Sequence, residues 1–285
     1  MRVSENLNCT LNLSRVLLLG AFLVLSTLCF PRSLAGQVTI AQISDTHLGE
    51  PRAPHAEENL RKAVEMINAR HPDAVILSGD IGETPEAWER AREILKGLNA
   101  RLYYVPGNHD VHSHDLERYR NAFGRDYYRF RVKNVTFLVI NSQLLGNFDD
   151  YEAKSPPPLS PEMENESEKV LAWLENQRHA GKVVIGIQHV PMFRDGDFPP
   201  DTKPYWVLND PYRLRELDLL HLLGIRHMLV GHWHNGRVFE REGIVWHVAP
   251  ATSWLPWGGD LGFAMHTITS DGDVRTEFVP LGTQP

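Results

Sequence analysis

From Val38 onward, short runs of β-branched and aliphatic residues alternate with longer stretches in which apolar positions recur every three or four residues. The short runs suit buried strands and the longer ones suit helices with one apolar face, so the pattern predicts a layered α/β domain over residues 37–282. Strands are predicted at Val38–Ile43, Ala74–Leu77, Leu102–Val105, Tyr128–Val132, Val135–Ile140, Lys182–Ile187, Met228–Val230 and Ile244–Val248. Helices are predicted at Glu57–Ala69, Pro85–Leu98 and Glu164–Ala180, with a less regular one near Asp210–Leu223. A closing hairpin is expected from Phe263 to Val279, turning at Ser270-Asp271-Gly272-Asp273.

Composition narrows the class. With 285 residues, 42% of them hydrophobic and 23% charged, the chain can bury the core of one large domain, which excludes collagen, coiled coil and wholesale disorder. Lys and Arg number 29 against 36 Asp and Glu, a net charge of −7 with no basic run to follow a phosphate backbone, so nucleic acid is not the expected partner. Histidine stands out: 14 residues is a high count for the residue that most often binds metal and moves protons near neutral pH.

The first 35 residues have the layout of an export signal. Arg2 and Arg15 precede an uncharged apolar run from Val16 to Phe30, and the small residues Ser33 and Ala35 follow. Such a run makes about 22 Å of helix, short of the ~30 Å hydrocarbon core, so no stable membrane span is expected. Cleavage near Ala35 would export the protein, with an uncleaved anchor or a buried helix as the alternatives. Both cysteines, Cys9 and Cys29, lie in this segment, and its removal would leave 26 basic against 35 acidic side chains, a net charge of −9 and no disulfide.

The chemistry sits where the strands end. Asp45-Thr46-His47 follows the first predicted strand, Gly79-Asp80 the second and Gly107-Asn108-His109-Asp110 the third. Later, Gln188-His189 and Gly231-His232-Trp233-His234 each follow an apolar run. Carboxyl ends of strands are where α/β folds place their sites. In extended backbone, residues i and i+2 point the same way, which would bring Asp45 beside His47 and His232 beside His234. Two carboxylates, an amide oxygen and four imidazoles suit borderline first-row cations better than Mg²⁺ or Ca²⁺, and the lack of a thiolate excludes cysteine-based structural zinc.

These five blocks, in this order, resemble the calcineurin-like metallophosphoesterases, whose pattern is D-x-H, GD, GNH[D/E], H and GHxH. The resemblance covers roughly residues 37–270 and implies an α/β fold, a four-layer αββα sandwich of two mixed β-sheets, with a binuclear metal centre at one sheet edge. Position by position, it implies that Asp45, His47 and His234 hold one metal, that Asn108, His189 and His232 hold the other, that Asp80 bridges them, and that His109 is the catalytic histidine. Glu83 stands where related serine/threonine phosphatases have an acidic residue that orients this histidine, while Asp110, adjacent to it, is expected to give structural support. The cofactors would be two divalent transition-metal ions, Mn, Fe or Zn, whose shared hydroxide attacks phosphorus. The implied activity is hydrolysis of a phosphate ester, with a phosphomonoester first and a cyclic-nucleotide or other phosphodiester as the alternative.

Departures from relatives narrow this further. Thr84 occupies the position of the phosphate-binding arginine of calcineurin-type phosphatases, and Glu83 that of the tyrosine in purple acid phosphatases, so no purple chromophore is expected. A noncatalytic scaffold would have lost ligands, and none of the seven is missing. Trp254, Trp257, Tyr205 and Trp206 are candidates either to flank the metals or to close the edge of the sandwich. Arg194 and Arg213 are candidate phosphate guides, His112 and His114 solvated turn residues, His247 and His266 packed or exposed sheet residues, and residues 147–168 an acidic excursion or lid.

Overall fold

The two periodicities of the chain become two β-sheets flanked by helices in the computed structural model, which describes residues 36–111 and 115–282. The chain runs through β1 (Val38–Ile43), α1 (Ala56–Asn68), β2 (Ala74–Ser78), α2 (Pro85–Leu95), β3 (Leu102–Val105), α3 (Leu116–Phe123), β4 (Tyr128–Val132) and β5 (Val135–Val139). It continues through α4 (Pro161–Glu175), β6 (Val183–Ile187), α5 (Tyr212–Leu222), β7 (His227–Val230), β8 (Arg237–Arg241), β9 (Ile244–Val248), β10 (Gly262–Ile268) and β11 (Val274–Pro280).

One sheet has the order β11-β10-β1-β2-β3 and the other β4-β5-β6-β7-β9-β8. Both are mixed: β1, β2 and β3 are parallel with an antiparallel β10–β11 hairpin on one side, and β5, β6, β7 and β9 are parallel between antiparallel β4 and β8. Inward residues such as Val38, Ile40 and Ile76 of the first sheet share a core with Phe137, Ile185 and Leu229 of the second. The outward residues Ile43, Leu77, Leu138 and Val230 belong to the core that the helices close over. Crossovers between successive parallel strands place α1 and α2 outside one sheet and α4 and α5 outside the other, completing four layers.

Local signals explain the boundaries. Thr84 and Ser160 cap α2 and α4 by accepting the N–H groups of Ala87 and Met163, and Pro85 and Pro161 open the two helices. The second cap starts α4 at Pro161, so the excursion predicted over 147–168 is irregular only as far as Ser160. The pattern missed β8 and α3. β8 buries only Phe239 among five residues and exposes Val238, and α3 buries only Leu116 and Tyr119, too little apolar alternation in either case to mark an element.

The space between the sheets also holds a polar chain. His227 Nδ1 lies 3.1 Å from His247 Nε2, and the Thr276 hydroxyl lies 2.7 Å from His247 Nδ1 and 2.8 Å from His266 Nδ1. His266 Nε2 donates to Gln42 Oε1 at 2.8 Å, and Gln42 Nε2 donates to the Ser78 hydroxyl at 2.8 Å. His247 and His266, expected as packed or exposed sheet residues, are thus both buried. No helix among the described residues is long and apolar enough to cross a membrane. The segment read as an export signal, with Cys9 and Cys29, and the residues His112 and His114 lie outside the described residues.

Candidate metal centre

The parallel strands β1, β2 and β3 of one sheet and β6 and β7 of the other deliver the five polar blocks to one locus at their carboxyl ends. The edge concerned is therefore made of strand ends rather than of an edge strand. Convergence does not come from the extended geometry expected for i and i+2. Asp45, His47, Asp80, His232 and His234 have φ of 52°, 41°, 53°, 71° and 59°, left-handed turns that side chains seldom adopt. Neighbouring loops hold these turns: Asp45 N–H donates to Gly79 O at 3.1 Å, and His47 N–H to Asp80 O at 2.9 Å. Packing is so close that a Cβ at Gly79 would collide with the His189 ring, and one at Gly107 with Asp80.

Three groups of possible ligand atoms result: one is His47, Glu83 and His109, and the other two share Asp80. Asp45, His47, Asp80 and His234 offer ligand atoms within 4.8 Å of one another, and so do Asp80, His189 and His232. Asp80 belongs to both. Asn108 lines the same cavity, and its Oδ1 is buried without a hydrogen-bond partner. His189 Nε2 lies 3.2 Å from Asp80 Oδ2 yet makes no hydrogen bond, and His47 Nε2 lies 3.1 Å from His234 Nε2. Lone-pair donors turned toward one another are arranged as a cation requires, and together these residues could hold two metal ions.

The remaining ring nitrogens fix how each imidazole is presented. His47 Nδ1 pairs with Glu83 Oε1 at 2.8 Å, His189 Nδ1 donates to Ser78 O at 2.7 Å, and His234 Nδ1 donates to Trp254 O at 2.9 Å, which turns Nε2 of each inward. His232 is reversed: Nε2 donates to Tyr205 O at 2.9 Å, leaving Nδ1 as its ligand atom. Asn108 Nδ2 donates to the Tyr205 hydroxyl at 2.8 Å, which directs the amide oxygen to the site. These backbone acceptors carry no mark in the sequence.

His109 lines the cavity beside the donors, and its Nδ1 lies 2.9 Å from Glu83 Oε2. Glu83 therefore grips His47 with one oxygen and His109 with the other, so the orienter predicted for His109 also braces a candidate ligand. Asp110, grouped with the catalytic candidates, is a backbone clamp: its oxygens accept the N–H groups of Ile81 at 2.8 Å and Gly107 at 2.9 Å, tying the second loop to the third.

The electrostatics match this geometry. Burial works against the charge on Glu83, but hydrogen bonds from His109 and His47 prevail and hold it down at about 2. Burial disfavours the His109 imidazolium too, yet Asp80 and Glu83 raise it to about 9. His189 rises to about 9 against its burial because Asp80 and Asp45 face it, and the same two charges would attract a cation. Burial and then its neighbour His189 lower His232 to about 3.

A cavity of about 560 Å³ opens over the donors. Trp254, Trp257, Tyr205 and Trp206 all line it, so they flank the site, as do Phe148 and Tyr151 of the 147–160 excursion. The phosphate guides expected at Arg194 and Arg213 are not on this wall. Arg194 donates to the carbonyls of Asp201, Asp197 and Pro199 and braces its own loop, and Arg213 pairs with Asp210 at 2.8 Å. The arginine on the wall is Arg52, stacked 4.2 Å over Trp254, which nothing in the local sequence distinguishes. A second cavity, of about 590 Å³, lies against the Arg120–Asp126–Glu166 ion pairs and contains none of the candidate ligand groups found among the described residues.

The chain is similar to known proteins. A family model described as calcineurin-like phosphoesterase matches residues 38–236. The chain is 30% identical over 188 residues to the serine/threonine-protein phosphatase CPPED1 of Mus musculus, covering 61% of this chain and 57% of that protein. It is also 30% identical over 168 residues to a probable glycerophosphodiester phosphodiesterase GpdQ of Arcobacter nitrofigilis, covering 54% of this chain and 57% of the relative. The chain thus spans just over half the length of these relatives. Among solved structures, a dimetal phosphatase from Danio rerio superposes with a TM-score of 0.60 at 16% identity, covering 86% of this chain and 96% of that one, a likeness of fold.

Proposed function

Because the chain belongs to the calcineurin-like phosphoesterase family, we propose that it hydrolyses phosphate esters, phosphomonoesters first, at the two donor sets that share Asp80. That sharing is the observation that carries the reading, since one carboxylate common to two sets suits a pair of ions acting on one phosphate. In this reading Asp45, His47 and His234 complete one set and Asn108, His189 and His232 the other, around two ions drawn from Mn, Fe and Zn. Bound there, such ions would supply Lewis acidity, making water more acidic and offsetting the charge of phosphate oxygens.

The chain's own groups do the rest. Asp80 places negative charge between the sets, while neutral Asn108 fills its position without cancelling the attraction for an anionic substrate. Glu83 keeps His109 charged and oriented. With Nδ1 engaged by Glu83, His109 delivers a proton to the leaving oxygen through Nε2. The 147–160 excursion and the Trp254–Trp257 loop wall off the cavity and limit water. The mouse relative, a serine/threonine-protein phosphatase, favours a monoester, and the Arcobacter relative, a probable glycerophosphodiester phosphodiesterase, supports a diester as the second reading.

The test is hydrolysis of para-nitrophenyl phosphate beside bis-para-nitrophenyl phosphate by chelated protein, with and without Mn²⁺, Fe²⁺ or Zn²⁺. Metal-dependent turnover of the monoester, abolished in Asp80→Ala, is expected. Preference for the diester would move the assignment to a phosphodiesterase, and no turnover of either ester with any of the ions would overturn it.

A further inference from the structure

The walls of the cavity and the candidate ligands form one construction. Tyr205 accepts from His232 through its carbonyl and from Asn108 through its hydroxyl, and its ring stands 4.9 Å from the His232 ring. On the opposite side, Trp254 accepts from His234 through its carbonyl, and its ring stands 4.7 Å from that of His234. Each donor set is thus roofed by an aromatic residue whose backbone is fastened to a candidate ligand. Phe148, 6.2 Å from the His232 ring, adds a further apolar face.

Two details define what this space accepts. Tyr151, Tyr205 and Trp206 meet in pairs at 5.0–5.8 Å and 83–88°, the distances of rings packed edge to face on one another. They form a solid wall rather than a cage around a cation. Arg52 is the only lysine or arginine among the described residues lining the cavity, and Glu50 neutralises it through contacts of 2.8 and 3.0 Å. Asp149 also lines the rim. The walls therefore reward flat apolar surface and give an anionic substituent no unpaired cation. A volume of about 560 Å³ also exceeds what a phosphate alone fills and lies within the range of about 300–1,000 Å³ typical of pockets for larger organic ligands.

We propose that this cavity is a leaving-group pocket for phosphomonoesters of uncharged alcohols bearing a flat aromatic group. The inference rests on the phosphoesterase reading and adds the substrate class to it. It is tested on the full chain loaded with Mn²⁺ by comparing 2-phenylethyl phosphate with ethyl phosphate, whose alcohols are of similar acidity, so that the ring is the main variable. The expected kcat/KM ratio is about tenfold or more in favour of the ring. A carboxylate added remote from the reacting bond, in 4-(carboxymethyl)phenyl phosphate against phenyl phosphate, should lower kcat/KM by about tenfold. Calorimetry with the unreactive phenylphosphonate and methylphosphonate should show the same order of binding. Trp254→Leu and, separately, Phe148→Leu should each bring the phenylethyl-to-ethyl ratio toward one.

A ratio near one in the native chain, a ratio unmoved in both folded variants, or a preference for the carboxylated ester would overturn the pocket while leaving the phosphoesterase reading intact. Hydrolysis of none of the four monoesters would instead overturn the phosphomonoester reading, and the order of phosphonate binding would then decide the pocket by itself.

Discussion

Two groups of buried histidines lie at different depths of the same sandwich. At the strand ends, His47, His189, His232 and His234 crowd around Asp45 and Asp80, with ring nitrogens left without hydrogen-bond partners or facing one another. Between the sheets, the rings of His227, His247 and His266 link to each other, to Thr276 and to Gln42, with no carboxylate in the chain. Burial unopposed lowers His266 to about 3, and burial together with its imidazole neighbours lowers His247 to about 2, so both act as neutral links. Carboxylates overcome that effect at His189 and His109 and raise both to about 9. Burial alone therefore turns histidine into a structural connector. Burial beside carboxylates turns it into a place for a cation or a proton.

The strongest way to break this contrast is to remove its shared carboxylate. Asp80→Ala should cost about 10³-fold or more in turnover and prevent retention of the ion pair, measured by esterase assay and metal analysis. His266→Gln, which alters the other group, should leave metal content intact.

Glu83→Gln should lower turnover by about 10²-fold. The protonated His109 is the donor, so activity falls as pH rises through its pKa. Glu83 helps hold that pKa up, and its loss should move the alkaline limb of kcat/KM to lower pH. An unmoved limb would remove Glu83 from proton transfer.

Glu216 supplies a control, a buried carboxyl with no hydrogen-bond partner on either oxygen, which burial pushes up from 4.5 to about 8. Its folded pKa exceeds its unfolded one, so the native state loses stability as pH rises from 4.5 toward 8. Glu216→Gln should therefore stabilise the protein by about 2–4 kcal/mol at pH 8 and have little effect at pH 4, as read by urea unfolding.

The smallest expected effect is a slope. His266 has its folded pKa depressed from 6.5 to about 3, so its contribution to stability is full above 6.5 and is lost as pH falls through that window. Between pH 6.5 and 5, His266→Gln should remove about 1 kcal/mol per pH unit from that dependence. An identical slope in the variant would mean that His266 is not held neutral.

The α/β alternation, most strand positions and the five polar blocks at predicted strand ends were legible from residue order, and the family resemblance named the candidate ligands within them. Strand ends concentrate polar residues, and the glycine preceding Asp80, Asn108 and His232 marks backbone packed too tightly for a side chain. Elements with little to bury, such as β8 and α3, left no such mark. Only the tertiary structure decided that left-handed turns bring the ligands together, and that Asp110 clamps backbone while Glu83 joins His47 to His109. It alone placed Arg52 on the cavity wall, with Arg194 and Arg213 elsewhere. The physical reason is that sequence fixes which groups are present and how each segment prefers to run, whereas a role in chemistry depends on which atoms of distant segments meet. Many of those atoms, such as the carbonyls of Ser78, Tyr205 and Trp254, belong to the backbone that every residue shares.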